Sequence, residues 1–241
     1  MTGNASINAA RSYASFAVSQ GRLGFTRRVV TTIAVLLALD AGFLLIHCLG
    51  VLMHHGAIGP SQPQALSSWR IDRDGSWSEY YEYAKTALIA ALALVCAHYR
   101  GLRSFGPIAL TAILLLLDNS LEMHERSKAI IMPATGLSKG LAEFAYIAIV
   151  GFVVVAWLGF AALRAAPGDR VVVALFIAML AILGGFGGGV DLLHTALGST
   201  SRKLDLILAF VEDGGELVTL SLGCALLAAA AAGRAAQGRE C

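Results

Sequence analysis

The sequence predicts an all-α integral membrane protein, a bundle of six transmembrane helices with both termini in the cytoplasm. Three observations lead to this fold class. The mean hydropathy is +0.70. Charged residues make up only 14% of the 241 residues, whereas soluble proteins average about 25%. Windows of about 20 residues with almost no charge recur along the chain, and this is the length that crosses the hydrocarbon core of a bilayer.

The chain divides into a lead-in, a membrane domain and a tail. Residues 1–28 are small, polar and arginine-bearing, which is typical of a cytoplasmic segment at a membrane surface. Residues 29–233 form the predicted six-helix transmembrane domain, and residues 234–241 form a short basic cytoplasmic tail. We expect the six spans at residues 30–53, 80–99, 105–124, 141–163, 171–195 and 206–232.

Turn signals separate the predicted spans. Pro60 lies in the segment after the first span, and Arg100 begins a short basic turn between the second and the third. Pro133 and Gly136 mark a loop after the third span, and residues 165–170 (AAPGDR) break the chain before the fifth. No connecting segment is long enough to hold a soluble domain with its own core.

The distribution of lysine and arginine predicts the orientation. One side of the membrane would hold the lead-in, the 100–103 turn, the 164–170 turn and the tail, which together carry ten cations and two acids. The other half holds the remaining eight of 18 Lys and Arg and 14 of 16 Asp and Glu. The positive-inside rule places the first side in the cytoplasm and predicts a multi-pass protein of the inner (plasma) membrane. Nearly every acid then lies toward the outer face.

The most informative stretch ends the third predicted span with the sequence LLLLDNSLEMHE, residues 114–125. In a continuous helix Asp118, Glu122 and Glu125 share a stripe about 60° wide, while His124 lies well round the helix. Three carboxylates on one stripe repel one another, so they need a counter-charge, a proton or a metal ion.

A second acidic cluster lies in the fifth and sixth predicted spans. Asp191 and His194 are one helical turn apart, and Glu212, Asp213 and Glu216 open the last span. Carboxylates and histidines on facing helices resemble in type the ligand sets of helical-bundle metal sites, which suit iron, manganese or zinc. The predicted metal ligands are Asp118, Glu122, Glu125, Asp191, His194, Glu212 and Glu216, and the predicted proton-transferring catalytic residues are His124, His194 and Asp213.

A purely structural interpretation competes with this prediction. Glu79, Glu82, Glu143 and Asp205 lie near helix starts, where solvated acids are favoured by the helix dipole. The clustered acids would also be neutralised by a web of salt bridges with Arg126, Lys128, Arg202, Lys203 and Lys85. In the first span, Asp40 and His47 share a stripe, and Asp40 needs a partner if it lies near mid-membrane.

The glycine run GGFGGG at residues 184–189 lies inside the fifth predicted span. It lacks the preceding strand and the polar context of a nucleotide-binding loop. We expect it instead to permit close helix contact, through small-residue pairs such as Gly185 and Gly189.

Three segments resemble a group of uncharacterised bacterial polytopic membrane proteins. The group carries a loop like RIDRDGSWSEYYEY, a span that ends LDE-x4-HE and a last span that opens E-E-G-x-E; the matching segments here are residues 70–83, 117–125 and 212–216. Asn119 stands where an acid is usual in the group, which weakens any ligand role at that position, and Asp213 replaces a glutamate. The resemblance implies that these acids belong together, and it implies no reaction.

Three functional hypotheses remain from the sequence. The first is a divalent-metal-dependent membrane enzyme with an outward-facing site for an amphiphilic substrate. The second is a proton or cation transporter or channel that uses the same carboxylates. The third is a non-catalytic, cation-binding membrane subunit. The expected partners are the lipid bilayer and an amphiphilic small molecule or a cation. A nucleic-acid partner is disfavoured, since the net charge is only +2 and the basic residues are scattered.

Overall fold

The computed structural model describes residues 23–62, 64, 66–197 and 201–237, without the side chains of Arg202 and residues 234–237. Most of the predicted lead-in and the last four residues of the predicted tail lie outside the described residues. The described chain is helical, and its helices are α1 (Arg27–His54), α2 (Trp77–Arg100), α3 (Leu102–Ser120), α4 (Met123–Thr135), α5 (Lys139–Arg164), α6 (Pro167–Gly184), α7 (Asp191–Leu197) and α8 (Arg202–Gln237). A short 3-10 helix (Ser67–Trp69) precedes α2, and a π-helical turn (Gly185–Val190) joins α6 to α7.

Within the described residues, five helical segments are long and apolar enough to cross a membrane: Arg27–His54, Leu102–Ser120, Lys139–Arg164, Pro167–Leu197 and Lys203–Gly233. The prediction of an all-α integral membrane protein is therefore confirmed at this level. The second predicted span forms the 24-residue helix α2, which does not reach the same mean hydropathy because its first three turns are polar and aromatic.

Helix α2 presents one face to the bundle and leaves the opposite face, which includes Leu88, Leu94 and Val95, exposed. It packs mainly against α3 and α8. Ile89, Ala93 and Cys96 are fully buried in the core that these three helices share. The polar residues Lys85 and Thr86 lie on the buried face, where other helices and not lipid surround them. Gly101, with φ of 138°, lets the chain turn from α2 directly into α3.

The chain's turns on one side of the bundle are tied together by polar contacts. The Arg100 guanidinium donates to Asp169 at 2.9 Å and to the Ala230 carbonyl at 2.8 Å. The Gly24 amide donates to the Ala229 carbonyl at 2.9 Å. The start of α1, the α2–α3 turn, the α5–α6 turn and the last turns of α8 therefore lie at the same end of the bundle.

The third predicted span ends earlier than expected. Helix α3 stops at Ser120, and Glu122 adopts a left-handed conformation with φ of 52° before α4 begins at Met123. The prediction of one helical stripe through Asp118, Glu122 and Glu125 is therefore wrong, since the helix axis changes direction between the first two. The predicted loop at Pro133 is also wrong: α4 continues to Thr135 and is closed by Gly136 at φ of 72°.

The glycine run forms the π-helical turn and does not pack through the predicted pair. A Cβ on Gly185 or Gly189 would meet no atom within 4 Å, whereas a Cβ on Gly187 would collide with the Glu216 carboxylate. Close contact is thus needed at Gly187. A π turn inserts an extra residue into the helix, which rotates the residues that follow it, here Asp191 and His194 of α7.

Candidate functional site

A cavity of about 950 Å³ opens at the end of the bundle opposite the Arg100–Asp169 pair. It lies between α2, α3, α5, α7 and α8, with residues 71–74 at its rim. Twelve of the 16 acids of the chain line it, against one arginine, Arg73, among the described residues. The acids are Asp72, Asp74, Glu79, Glu82, Asp118, Glu122, Glu125, Glu143, Asp191, Glu212, Asp213 and Glu216.

All nine predicted site residues line this cavity. The end of α3 and the start of α4 supply the first cluster, and α7 and α8 supply the second. The two clusters face each other because α3 and α6–α7 end, and α8 begins, at this end of the bundle. Their placement is therefore a consequence of the bundle topology, whereas their individual roles depend on the contacts below.

His124 is held by a hydrogen-bonded network on one side of its ring. Its Nδ1 lies 3.1 Å from Asp118 Oδ2, and the Tyr146 hydroxyl donates to Asp118 Oδ1 at 2.9 Å. The hydrogen bond with Asp118 raises the pKa of His124 above its ordinary value, although burial acts in the opposite direction. The other ring nitrogen, Nε2, faces Glu143 Oε1 at 4.0 Å.

One group of described side chains brings three potential metal-ligand atoms close together. Ligand atoms of His124, Glu125 and Glu143 all lie within 4.8 Å of one another. Lys128 now neutralises the two carboxylates, with Nζ 3.4 Å from Glu125 Oε2 and 3.3 Å from Glu143 Oε2. Burial would lower the pKa of Lys128, but the two carboxylates outweigh it and raise that pKa. The group therefore attracts positive charge, and at present a lysine supplies it.

The other predicted ligands are distributed around the cavity and do not share this centre. Glu122 lies at the rim, where its side chain is 53% exposed and pairs with Arg126 at 3.7 Å. Asp118 contacts Nδ1 of the His124 ring, whereas the other ring nitrogen, Nε2, faces Glu143. Asp191, Glu212 and Glu216 lie across the cavity on α7 and α8.

Both ring nitrogens of His194 are engaged by carboxylates. Nδ1 lies 3.3 Å from Glu212 Oε2, and Nε2 lies 2.8 Å from Asp205 Oδ1. Two such hydrogen bonds require a doubly protonated ring. His194 thus ties α7 to α8 and has no free nitrogen with which to bind a metal ion, in contrast to His124.

Five acids of the cavity have side chains without a hydrogen-bond or ion-pair partner within the described part of the chain: Asp74, Glu82, Asp191, Asp213 and Glu216. Among the described side chains, which do not include that of Arg202, the predicted salt-bridge web at the cavity is formed only by Arg126 and Lys128. Gly187 leaves room for the Glu216 carboxylate beside the π turn.

The rim segment meets the bundle where Asp72 faces His47 of α1. The Arg70 Nε donates to Asp72 Oδ1 at 2.9 Å, and a second hydrogen bond joins the same two side chains. His47 of α1, which is buried, places Nδ1 3.4 Å from the same Oδ1. Burial alone would raise the pKa of Asp72, but the neighbouring His47 and the hydrogen bonds from Arg70 hold that pKa well below the usual range. Asp72 therefore keeps its charge, and with it the contact to His47, at neutral pH.

Asp40 has the partner that the sequence required. Lys85 Nζ lies 3.1 Å from Asp40 Oδ1, and both residues are 1% exposed. The same ammonium donates to the Leu217 carbonyl at 2.5 Å and lies 4.3 Å from the centroid of the Tyr81 ring. Asp40 Oδ2 makes no hydrogen bond. The pair lies below the cavity and joins α1, α2 and α8.

Sequence reasoning missed several lining residues. Glu143 and Glu82 had been interpreted as solvated helix ends, yet both line the cavity. Glu143 and Tyr146 are three residues apart on α5, a spacing that places them on one face and could have signalled a polar stripe. Thr111 lies in the middle of α3, and nothing in the sequence distinguishes it from a threonine that only packs between helices.

The family of the chain follows from comparison with known proteins. A family model described as "Domain of unknown function (DUF8692)" matches residues 29–230, so the chain belongs to that family. No curated protein and no solved structure matched the chain.

Proposed function

We propose that this member of the family binds a divalent metal ion at His124, Glu125 and Glu143 and acts with it as a membrane enzyme on an amphiphilic substrate. One observation carries the proposal. Three ligand atoms of these residues converge within 4.8 Å, while Asp118 holds the opposite nitrogen of the His124 ring at 3.1 Å. Metal-binding histidines almost always make such a second hydrogen bond, since it fixes the ring and raises its basicity.

The donor set suits the proposed ion. One imidazole and two carboxylates match the preferences of iron, manganese and zinc. Lys128 must leave Glu125 and Glu143 when the ion binds, because it occupies the same carboxylate oxygens. A bound ion would supply a Lewis acid or an activated water in the cavity. Asp213, one of the predicted proton-transferring residues, has a side chain without a hydrogen-bond or ion-pair partner among the described residues and is the proton carrier of this proposal.

The metal site can be tested by Mn²⁺ titration of detergent-purified protein. Glu143→Gln removes one charged ligand, and we expect the affinity for Mn²⁺ to fall by at least about 100-fold. This loss exceeds the loss of about 10- to 100-fold that is usual when a residue hydrogen-bonded to a metal ligand is replaced. Glu122→Gln serves as the matched control, because Glu122 lines the same cavity but lies at its exposed rim. Equal loss in both variants would mean that the cavity binds Mn²⁺ only through its general negative charge.

The same proposal includes the topology. Six crossings by α1, α2, α3, α5, α6–α7 and α8, in an inner (plasma) membrane, put both termini in the cytoplasm and open the cavity outward. The distribution of arginines supports this orientation. The contact between Gly24 and Ala229 supports an even number of crossings, since it joins the start of α1 to the far end of α8.

A pair of cysteine substitutions tests the topology. In a background without Cys48 and Cys241, Ala134→Cys lies at the end of α4 beside the cavity, and Ala166→Cys lies in the opposite α5–α6 turn. We expect a membrane-impermeant maleimide to label position 134 in intact cells and position 166 only after lysis. The reverse labelling pattern would mean that the protein has the opposite orientation in the membrane.

A proton or cation pathway is the second candidate function, and the buried Asp40–Lys85 pair favours it. The pair lies one turn below Glu82 and could continue a polar path inward. Further along, however, the described interior between Lys85 and Arg100 is filled by apolar side chains such as Ile89, Phe105 and Phe176. A one-sided cavity suits an enzyme better than a pathway through the membrane.

A further inference from the structure

The unpaired acids of the cavity leave negative charge that the proposed metal centre does not use. Glu82, Asp213 and Glu216 lie on α2 and α8, whereas the three proposed ligands lie on α4 and α5. None of the three unpaired acids has a hydrogen bond or an ion pair in the described part of the chain. A proton or a second positively charged group is therefore needed on the α2–α8 side.

The opposite part of the cavity is apolar and reaches the lipid-facing surface. Its walls are formed by Leu114, Leu115, Ile147, Val154, Leu180 and Leu183 of α3, α5 and α6. Leu114 is 47% exposed and Val150 is 43% exposed, so the cavity meets the outside of the bundle between α3 and α5. In a membrane this opening would face acyl chains.

An unsatisfied hydroxyl marks the deep part of the cavity. Thr111 lines it and is 3% exposed, and its Oγ1 has no hydrogen-bond partner. Thr111 is seven residues before Asp118 on α3, which places it about 10 Å deeper along the helix. Buried hydroxyls are normally satisfied. Thr111 therefore brings an unpartnered polar atom to the wall of the cavity.

We infer that the substrate of the cavity is a single-chain amphiphile with a cationic nitrogen head group. Its ammonium lies among Glu82, Asp213 and Glu216, and its chain lies between α3 and α5. The inference rests on the proposed function, because it names the substrate class of that same cavity. An anionic head group would meet twelve lining acids against one lining arginine among the described residues, so a cationic head group is favoured. A cavity of about 950 Å³ is at the upper end of the range for small-molecule sites.

Two glycines of α5 provide a matched pair of variants. Gly151 lines the cavity and Gly159 does not, and a Cβ on either would meet no atom within 4 Å. Phenylalanine at residue 151 would extend into the apolar part of the cavity, whereas phenylalanine at residue 159 would not. Gly151→Phe therefore blocks the chain-binding region without disturbing the acids.

The test is equilibrium binding of radiolabelled dodecylamine to the full chain in phosphatidylcholine nanodiscs, with empty nanodiscs as background. We expect saturable binding that is weakened about tenfold or more by Gly151→Phe and by Glu216→Gln, and left unchanged by Gly159→Phe. Dodecanol, which has the same chain without the charge, should bind about tenfold more weakly than dodecylamine. Equal binding of dodecanol, or undiminished binding to Gly151→Phe, would overturn the inference.

Mn²⁺ titration of the same samples separates this inference from the proposed function. A wild-type protein that binds Mn²⁺ but no dodecylamine overturns the inference and leaves the metal site standing. If the wild-type protein and its variants bind dodecylamine with the expected order of affinities but bind no Mn²⁺, the inferred substrate class is supported and the proposed metal site is contradicted. Gly151→Phe should keep its Mn²⁺ affinity, which shows that the variant is folded.

Discussion

Replacing Lys85 with methionine lowers the free energy of unfolding by about 3–5 kcal/mol, the range found when one partner of a buried ion pair is removed. The physical reason is the charge that remains. Asp40 is 1% exposed, and Lys85 is its one hydrogen-bond donor among the described residues. Methionine keeps most of the side-chain volume, so lost packing contributes little. The measurement is thermal or denaturant-induced unfolding in detergent micelles at fixed protein and detergent concentrations.

The double variant Asp40→Leu with Lys85→Met is the control for this prediction. It removes both charges together, and the stability should return to the wild-type level or rise above it, as happens when apolar residues replace a whole buried pair. If the double variant is as unstable as Lys85→Met, the cost does not come from an unpaired Asp40. In that case the hydrogen bonds of Lys85 to the Leu217 carbonyl and to Ser221 are the more important contacts.

Asp118→Asn should weaken Mn²⁺ binding by about 10- to 100-fold, the usual effect of removing the residue that orients a metal-binding histidine. The same substitution should change the pH dependence. Hydrogen bonding with Asp118 raises the pKa of His124, and the metal competes with the ring proton for a nitrogen. Wild-type affinity should therefore increase as the pH rises through that elevated pKa. In Asp118→Asn the pKa falls, so the midpoint should move to lower pH.

Mn²⁺ titrations over a pH series measure both effects on the same protein. Tyr146→Phe is a useful companion variant, since it removes the hydroxyl that holds Asp118 Oδ1 and leaves the charge in place. We expect its effect to have the same direction and a smaller size. A midpoint that moves to higher pH in Asp118→Asn would contradict the assignment of Asp118 as the residue that positions His124.

The membrane class and the convergence of the acids could be predicted from the sequence because they depend on quantities that a sequence contains. Hydropathy and helix length determine the apolar spans, and alternating span direction brings the end of α3 and the starts of α5 and α8 to one face. Asp118, Asp213 and Glu216 accordingly line one cavity.

The grouping of individual ligands could not be predicted in the same way. It depends on where a helix stops, and the left-handed Glu122 ends the stripe that a continuous helix would have formed. It also depends on tertiary neighbours. Glu143 resembles any acid near a helix start until α4 places His124 and Lys128 beside it. Gly187 acquires its importance only from the Glu216 side chain of another helix.

Helix α2 shows a third limit of sequence reasoning. Its polar first turns and small apolar residues give it a lower mean hydropathy than the five membrane-length segments. Its buried polar residues Lys85 and Thr86 lie on the face that packs against other helices, so they are sheltered from lipid. Hydropathy alone therefore under-rates a helix whose polar residues lie on its packed face.

The measurement that tests the central claim most directly is pulsed electron paramagnetic resonance of the Mn²⁺-loaded protein. If the ion binds at His124, Glu125 and Glu143, the spectrum of the wild-type protein shows coupling to a histidine nitrogen. That coupling disappears in His124→Gln and persists in His194→Gln, since both nitrogens of His194 are held by carboxylates. A bound ion without nitrogen coupling, or one whose coupling survives His124→Gln, would contradict the proposed metal centre.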